Sequence, residues 1–157
     1  MKNKFIKRGL IILALVIVVG GGIFLYMFLQ PHRDVQATQT DFQLDAKEIV
    51  AEYLADYNAA NEKYLQEEGN SKVIEITGVV ADISEDYNKQ KVVLLKSLGE
   101  HAGVSCTFTS ETNRNAEKLK VGDKVTIKGV IRSGAGYDED LELYEDVIVE
   151  KSDVVKN

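Results

Sequence analysis

The sequence predicts a mainly β protein with helices, in which a small closed five-stranded barrel follows an N-terminal transmembrane helix and an amphipathic helix. Three observations carry this. Gly9 to Leu29 is an uncharged apolar run of 21 residues. Five strand-like runs follow residue 70, with one helical stretch between the third and fourth. Two of them share a pattern centred on glycine, Ile74-Glu-Ile-Thr-Gly78-Val-Val and Val125-Thr-Ile-Lys-Gly129-Val-Ile.

The apolar run is long enough to cross a ~30 Å hydrocarbon core as one helix. Lys2, Lys4, Lys7 and Arg8 precede it without an acidic residue. The positive-inside bias therefore predicts a cytoplasmic N-terminus over residues 1–8, a membrane span over 9–29 and an extracytoplasmic remainder. The small residues of Val35-Gln36-Ala37 leave an alternative open, a secreted chain released by signal cleavage, although the run exceeds the roughly 7–15 residues of a usual signal core. Residues 30–44 are polar, hold the single proline and read as a linker. Asp45 reads as a helix N-cap with Glu48 as its capping-box partner, and Leu44 and Ile49 occupy the hydrophobic-staple positions. Ile49, Tyr53, Ala60 and Tyr64 then mark one face of an amphipathic helix within residues 45–69, ended by Gly69 and Asn70. At this spacing Tyr53, Tyr57 and Tyr64 are expected to pack the helix onto the barrel.

Val73–Ile83, Lys91–Ser97 and Val104–Thr109 read as the first three strands, rich in β-branched residues. Ser110–Lys120 reads as a short helix, and Asp123–Arg132 and Leu141–Glu150 as the last two strands. Mid-strand glycines mark bulges or sharp bends. Long first and fourth strands bent at Gly78 and Gly129 can each serve both halves of a barrel, and closure removes exposed edges. This β-β-β-α-β-β order is the layout of the OB-fold, placed over residues 70–152 with a tail at 153–157.

Four stretches carry a family resemblance: Tyr57-Asn-Ala-Ala-Asn-Glu-Lys-Tyr64, Ile76-Thr-Gly-Val-Val80, Val104-Ser-Cys-Thr-Phe108 and Leu119-Lys-Val-Gly-Asp-Lys-Val-Thr-Ile-Lys-Gly129. Through them residues 49–149 resemble the tRNA_anti-like family, bacterial exported or lipoprotein-like OB-fold proteins. The resemblance implies the fold and brings no catalytic residues. Where the family pattern often has a cysteine in the last strand, this chain has Tyr144-Glu145-Asp146.

Charge narrows the function classes. Four of the 19 basic residues and none of the 25 acidic ones lie in residues 1–29, leaving 15 basic against 25 acidic, a net −10, in the remainder. An acidic domain repels polyphosphates, so on this ground nucleic acid is not the expected partner. The lone cysteine, Cys106, makes no internal disulfide and reads as a small core residue. Phe108 alternates with it and is expected in the core. His32 and His101 lack neighbours at metal-ligand spacing. The acidic residues Asp138, Glu139, Asp140, Glu142, Glu145 and Asp146 have no EF-hand spacing and read as a solvated surface. No catalytic constellation, cofactor motif or metal set emerges, so the expectation is a non-enzymatic binding or scaffold module that contacts a protein or envelope polymer. Its expected ligand-binding residues are Tyr87 and Tyr137, in loops flanking the barrel's binding face, with Lys91 and Lys96. The alternative is a nucleic-acid-binding OB domain.

Overall fold

The computed structural model describes residues 17–24, 34–65 and 71–155. The chain divides into two compact units, one up to Arg33 and one from Asp34 onward. In the first, residues 17–24 are helical, with the apolar side chains of Ile17, Val18 and Ile23 exposed. Among the described residues no helix is long and apolar enough to cross a membrane. Most of the expected 9–29 span, and the helix end at Gly69 and Asn70, lie outside the described residues.

The second unit begins with β1 (Phe42–Asp45), inside the stretch read as linker. Leucine and phenylalanine alternate there with polar residues, and the strand pairs in parallel with the first barrel strand, Phe42 opposite Ile74. Asp45 then caps α1 (Ala46–Ala55) through the expected box: its side chain accepts from the Lys47 amide, and Glu48 reaches back to the cap. The expected single helix is instead two, because Asp56 turns extended, with φ −154° and ψ 96°, and caps α2 (Tyr57–Tyr64) by accepting from the Ala59 amide. An aspartate gains more from a cap than from a helix interior, so the chain restarts there.

The barrel strands are β2 (Val73–Glu85), β3 (Lys91–Leu95), β4 (Val104–Phe108), β5 (Lys124–Ser133) and β8 (Val147–Val154). They run in the cyclic order β2-β3-β4-β8-β5, closed by pairing of β5 with β2. All neighbours are antiparallel except β4 and β8. This closed five-stranded barrel with one parallel seam is the OB arrangement. Between β4 and β5, α3 (Asn113–Ala116) is shorter than the expected helix, and the rest of 110–120 is turns.

The two glycine-centred segments pair with each other: Ile74 faces Gly129, Gly78 faces Val125, and Ile76 faces Ile127 at the centre. At Gly129 the β5–β8 register slips, and a Cβ there would sit 2.6 Å from Val149 Cγ1. The glycine thus lets β8 cross close over β5 while β5 also pairs with β2. Ile74, Ile76, Val93, Leu95, Cys106, Phe108, Ile127 and Val149 fill the core, with α1 and α2 packing Ile49, Tyr53 and Tyr64 onto it.

The expected fifth strand, Leu141–Glu150, is split. β6 (Gly136–Asp138) and β7 (Leu143–Glu145) form a separate hairpin, and β8 starts only after Asp146. The break has a polar cause: Asp146 Oδ1 accepts a 2.6 Å hydrogen bond from the Gly103 amide, and the Val147 amide donates to the Gly103 carbonyl. These bonds tie the hairpin to the loop between β3 and β4.

Candidate functional site

The β6–β7 hairpin presents a face that no core residue covers. Tyr137 and Tyr144 stand opposite each other across its ladder, with ring centroids 4.8 Å apart. His101, from the β3–β4 loop, stacks on Tyr144 at 4.9 Å with planes 22° apart. Three rings thus form a continuous row. Tyr137 and Tyr144 remain 50% and 40% exposed, and Leu141 and Leu143 beside them are exposed too. Aromatic pairs in offset or tilted contact gain roughly 0.5–1.5 kcal/mol beyond burial. The row is therefore held in place by its own contacts and by the Asp146–Gly103 clamp.

The four expected residues separate into two places. Lys96 donates from Nζ to the His101 carbonyl at 3.0 Å, which joins it to Tyr137 through His101 and Tyr144. Lys91 instead pairs with Glu85 at 3.0 Å, at the base of the β2–β3 turn that bears the fully exposed Tyr87. Five strand steps, roughly 17 Å, separate Lys91 from Lys96. Both lysines are engaged within the fold, so neither forms part of an open basic groove. His101 and Tyr144 belong to the site without having been expected. For Tyr144 the signal was legible, since Tyr137-Asp138 and Leu143-Tyr144 flank a polar turn of four residues as hairpin arms do. For His101 there was none, because only the fold brings its loop beside the hairpin.

Electrostatics at the site are negative. Asp138 Oδ1 accepts from the amides of Asp140 and Leu141 and shapes the turn. Glu142 follows with φ 52°. Among the described residues, no group of three or more His, Cys, Asp or Glu side chains is arranged to hold a metal ion.

A second aromatic cluster is structural. Tyr53 and Tyr64 are buried, with Phe42 edge-on to Tyr64 at 5.2 Å. Lys63 and the Tyr64 hydroxyl both donate to Glu52, at 2.8 Å each. The Lys63 hydrogen bond holds the Glu52 carboxyl below its ordinary range. Burial pushes the Tyr53 hydroxyl up to about 12. Cys106 is likewise sealed in the core, its thiol pushed up to about 12 by burial, which removes thiolate reactivity.

A family model, tRNA_anti-like, matches residues 1–142. The chain belongs to the tRNA_anti-like family. The match ends in the β6–β7 turn, so Tyr144 and β8 lie beyond it. No curated protein matches the sequence. Among solved structures, a putative nucleic acid-binding lipoprotein from Klebsiella pneumoniae subsp. pneumoniae is similar, with a TM-score of 0.54 at 19% identity over 81% of this chain and 100% of that one. At that identity the likeness concerns the fold. For this tRNA_anti-like chain it agrees with the barrel closure described above.

Proposed function

We propose that this tRNA_anti-like protein is a non-enzymatic binding module. Residues 9–29 anchor it in the cytoplasmic membrane with the N-terminus inside, and the barrel works on the outer side. The ring row His101–Tyr144–Tyr137 contacts a protein or a cell-envelope polymer. The observation that carries the reading is the exposed row itself, pre-set on loops that flank an OB barrel. Retention of the anchor is supported by residues 34–38, which belong to the barrel. Val35 is 3% exposed, the Gln36 amide group donates to the carbonyls of Lys128 and Lys151, and Lys128 Nζ donates back to the carbonyls of Gln36 and Thr38. Cleavage after Ala37 would remove Val35 and Gln36 from the folded unit.

A second reading is a single-stranded nucleic-acid binder. The nucleic acid-binding description of the Klebsiella lipoprotein favours it, and stacked rings suit bases. Against it stand the net −4 of residues 70–151, with 15 acidic and 11 basic side chains, and the engagement of Lys91 and Lys96.

The test is site-specific photo-crosslinking in cells, with p-benzoylphenylalanine in place of Tyr137 and, as a control, of Val121, which is also exposed. A product formed from position 137 and not from 121 supports the ring row as the binding face. Its digestion by protease or by glycan hydrolase separates protein from polymer, and sensitivity to nuclease would favour the second reading. Equal products, or none, from both positions would remove the ring row as the site.

A further inference from the structure

Resting on the binding-module reading, we infer that the ligand of the β6–β7 hairpin is a polypeptide segment rich in arginine and lysine. Between Gly134 and Glu150 the chain has seven carboxylates and no lysine or arginine. Glu150 lies 3.9 Å from Arg132, Asp138 holds the turn, and Asp146 holds Gly103. Glu139, Asp140, Glu142 and Glu145 make no side-chain hydrogen bond or ion pair among the described residues. Their charge is therefore uncompensated, and it lies in the turn and on the far face of the same hairpin that carries Tyr137 and Tyr144. A ring face and a carboxylate both attract a guanidinium: the first through its quadrupole, the second through paired hydrogen bonds.

Placement decides between one ion and several. The ladder puts Tyr137 and Tyr144 on one face of the hairpin and Asp138, Leu143 and Glu145 on the other, with Glu139, Asp140 and Glu142 in the turn. Acceptors spread over the tip and the face opposite the rings do not converge on a single metal ion, in line with the lack of a ligand set among the described residues. A segment with several cationic side chains can reach them together. Arginine suits the rings better than lysine because its planar group stacks. A phosphate backbone would meet the same carboxylates as repulsion.

The experiment titrates fluorescein-labelled nona-arginine with the fragment 34–157, which is a compact unit with its own core. Nona-glutamate and a neutral N-acetylglucosamine tetramer serve as comparison ligands. Two variants accompany the wild type: Tyr137→Leu with Tyr144→Leu, and Glu139→Gln with Asp140→Asn and Glu145→Gln. All these positions are on an exposed hairpin, and a thermal melt checks each fold. Saturable binding of nona-arginine is expected, weakened about fivefold or more by each variant, since one removes the ring faces and the other the carboxylates that hold a guanidinium. No binding, or binding that the ring variant leaves unchanged, overturns the inference. If crosslinks from position 137 still form in that case, the ring row remains the binding face and only the cationic ligand is wrong. If they also fail, both readings fall.

Discussion

At Gly134 the ring of Tyr53 occupies the space a side chain would need: an added Cβ would lie 2.0 Å from Tyr53 Cε1. Gly134→Ala is therefore expected to force the buried tyrosine or the end of β5 to move, destabilising the domain by about 1–3 kcal/mol, read as a lower urea midpoint at unchanged slope. Glu52 has a pH signature. Its folded-state carboxyl titrates below the ordinary value of 4.5, chiefly through Lys63, so its contribution is present above that value and is lost as the pH falls through the folded one. The pair is partly solvent-screened, and the contribution is about 1 kcal/mol or less. Glu52→Gln should flatten the acid limb of the stability curve while leaving its shape above pH 6 unchanged; an acid limb identical to wild type would contradict the assigned network. Residues such as Ile49, Phe108 and Cys106 were legible as core because alternation or helical spacing alone places them. Glu52, Lys63 and His101 were not, because their partners lie in other elements.

Elements were legible where one local rule decides them. The capping box at Asp45 and the β-branched runs fixed the start of α1 and four of the five barrel strands to within a few residues. The misread elements are those where a polar side chain takes a tertiary partner. Asp56 restarts the helix as a cap, and Asp146 ends the hairpin by binding Gly103. The stretch read as linker likewise hides an ordered strap, since polar residues 34–41 show no apolar period yet bury Val35 and bridge to β5 and β8. A fragment starting at Gln39 should be less stable than one starting at Asp34. Burial of one valine contributes about 1.5–3 kcal/mol and the strap hydrogen bonds about 1 kcal/mol each. Partial relaxation makes a loss of about 2–4 kcal/mol the expected result by denaturant unfolding. Equal midpoints would return residues 34–38 to the status of linker and remove the support they lend to a retained anchor.

For the whole molecule, the strand order and the repeated glycine-centred pattern made the barrel legible from the chain alone, since only closure lets strands this short avoid open edges. The expected irregularity falls at Gly129 in β5, whereas in β2 it falls between Val80 and Asp82 rather than at Gly78. The residues expected to bind a ligand fall in two places. Tyr137 and Lys96 meet at the ring row, whereas Tyr87 and Lys91 sit at the far end of β3. An aromatic, acidic face of the kind proposed for this OB barrel selects against polyanions. The most direct measurement is fluorescence anisotropy of labelled single-stranded RNA and DNA titrated with residues 34–157 at about 20 mM salt, where screening is weakest and attraction strongest. A flat signal up to high protein concentration is expected. A saturable curve that weakens as salt rises would overturn the proposed face, and would mean that a local basic or stacking surface outweighs the net −11 of residues 34–157, with 14 basic and 25 acidic side chains.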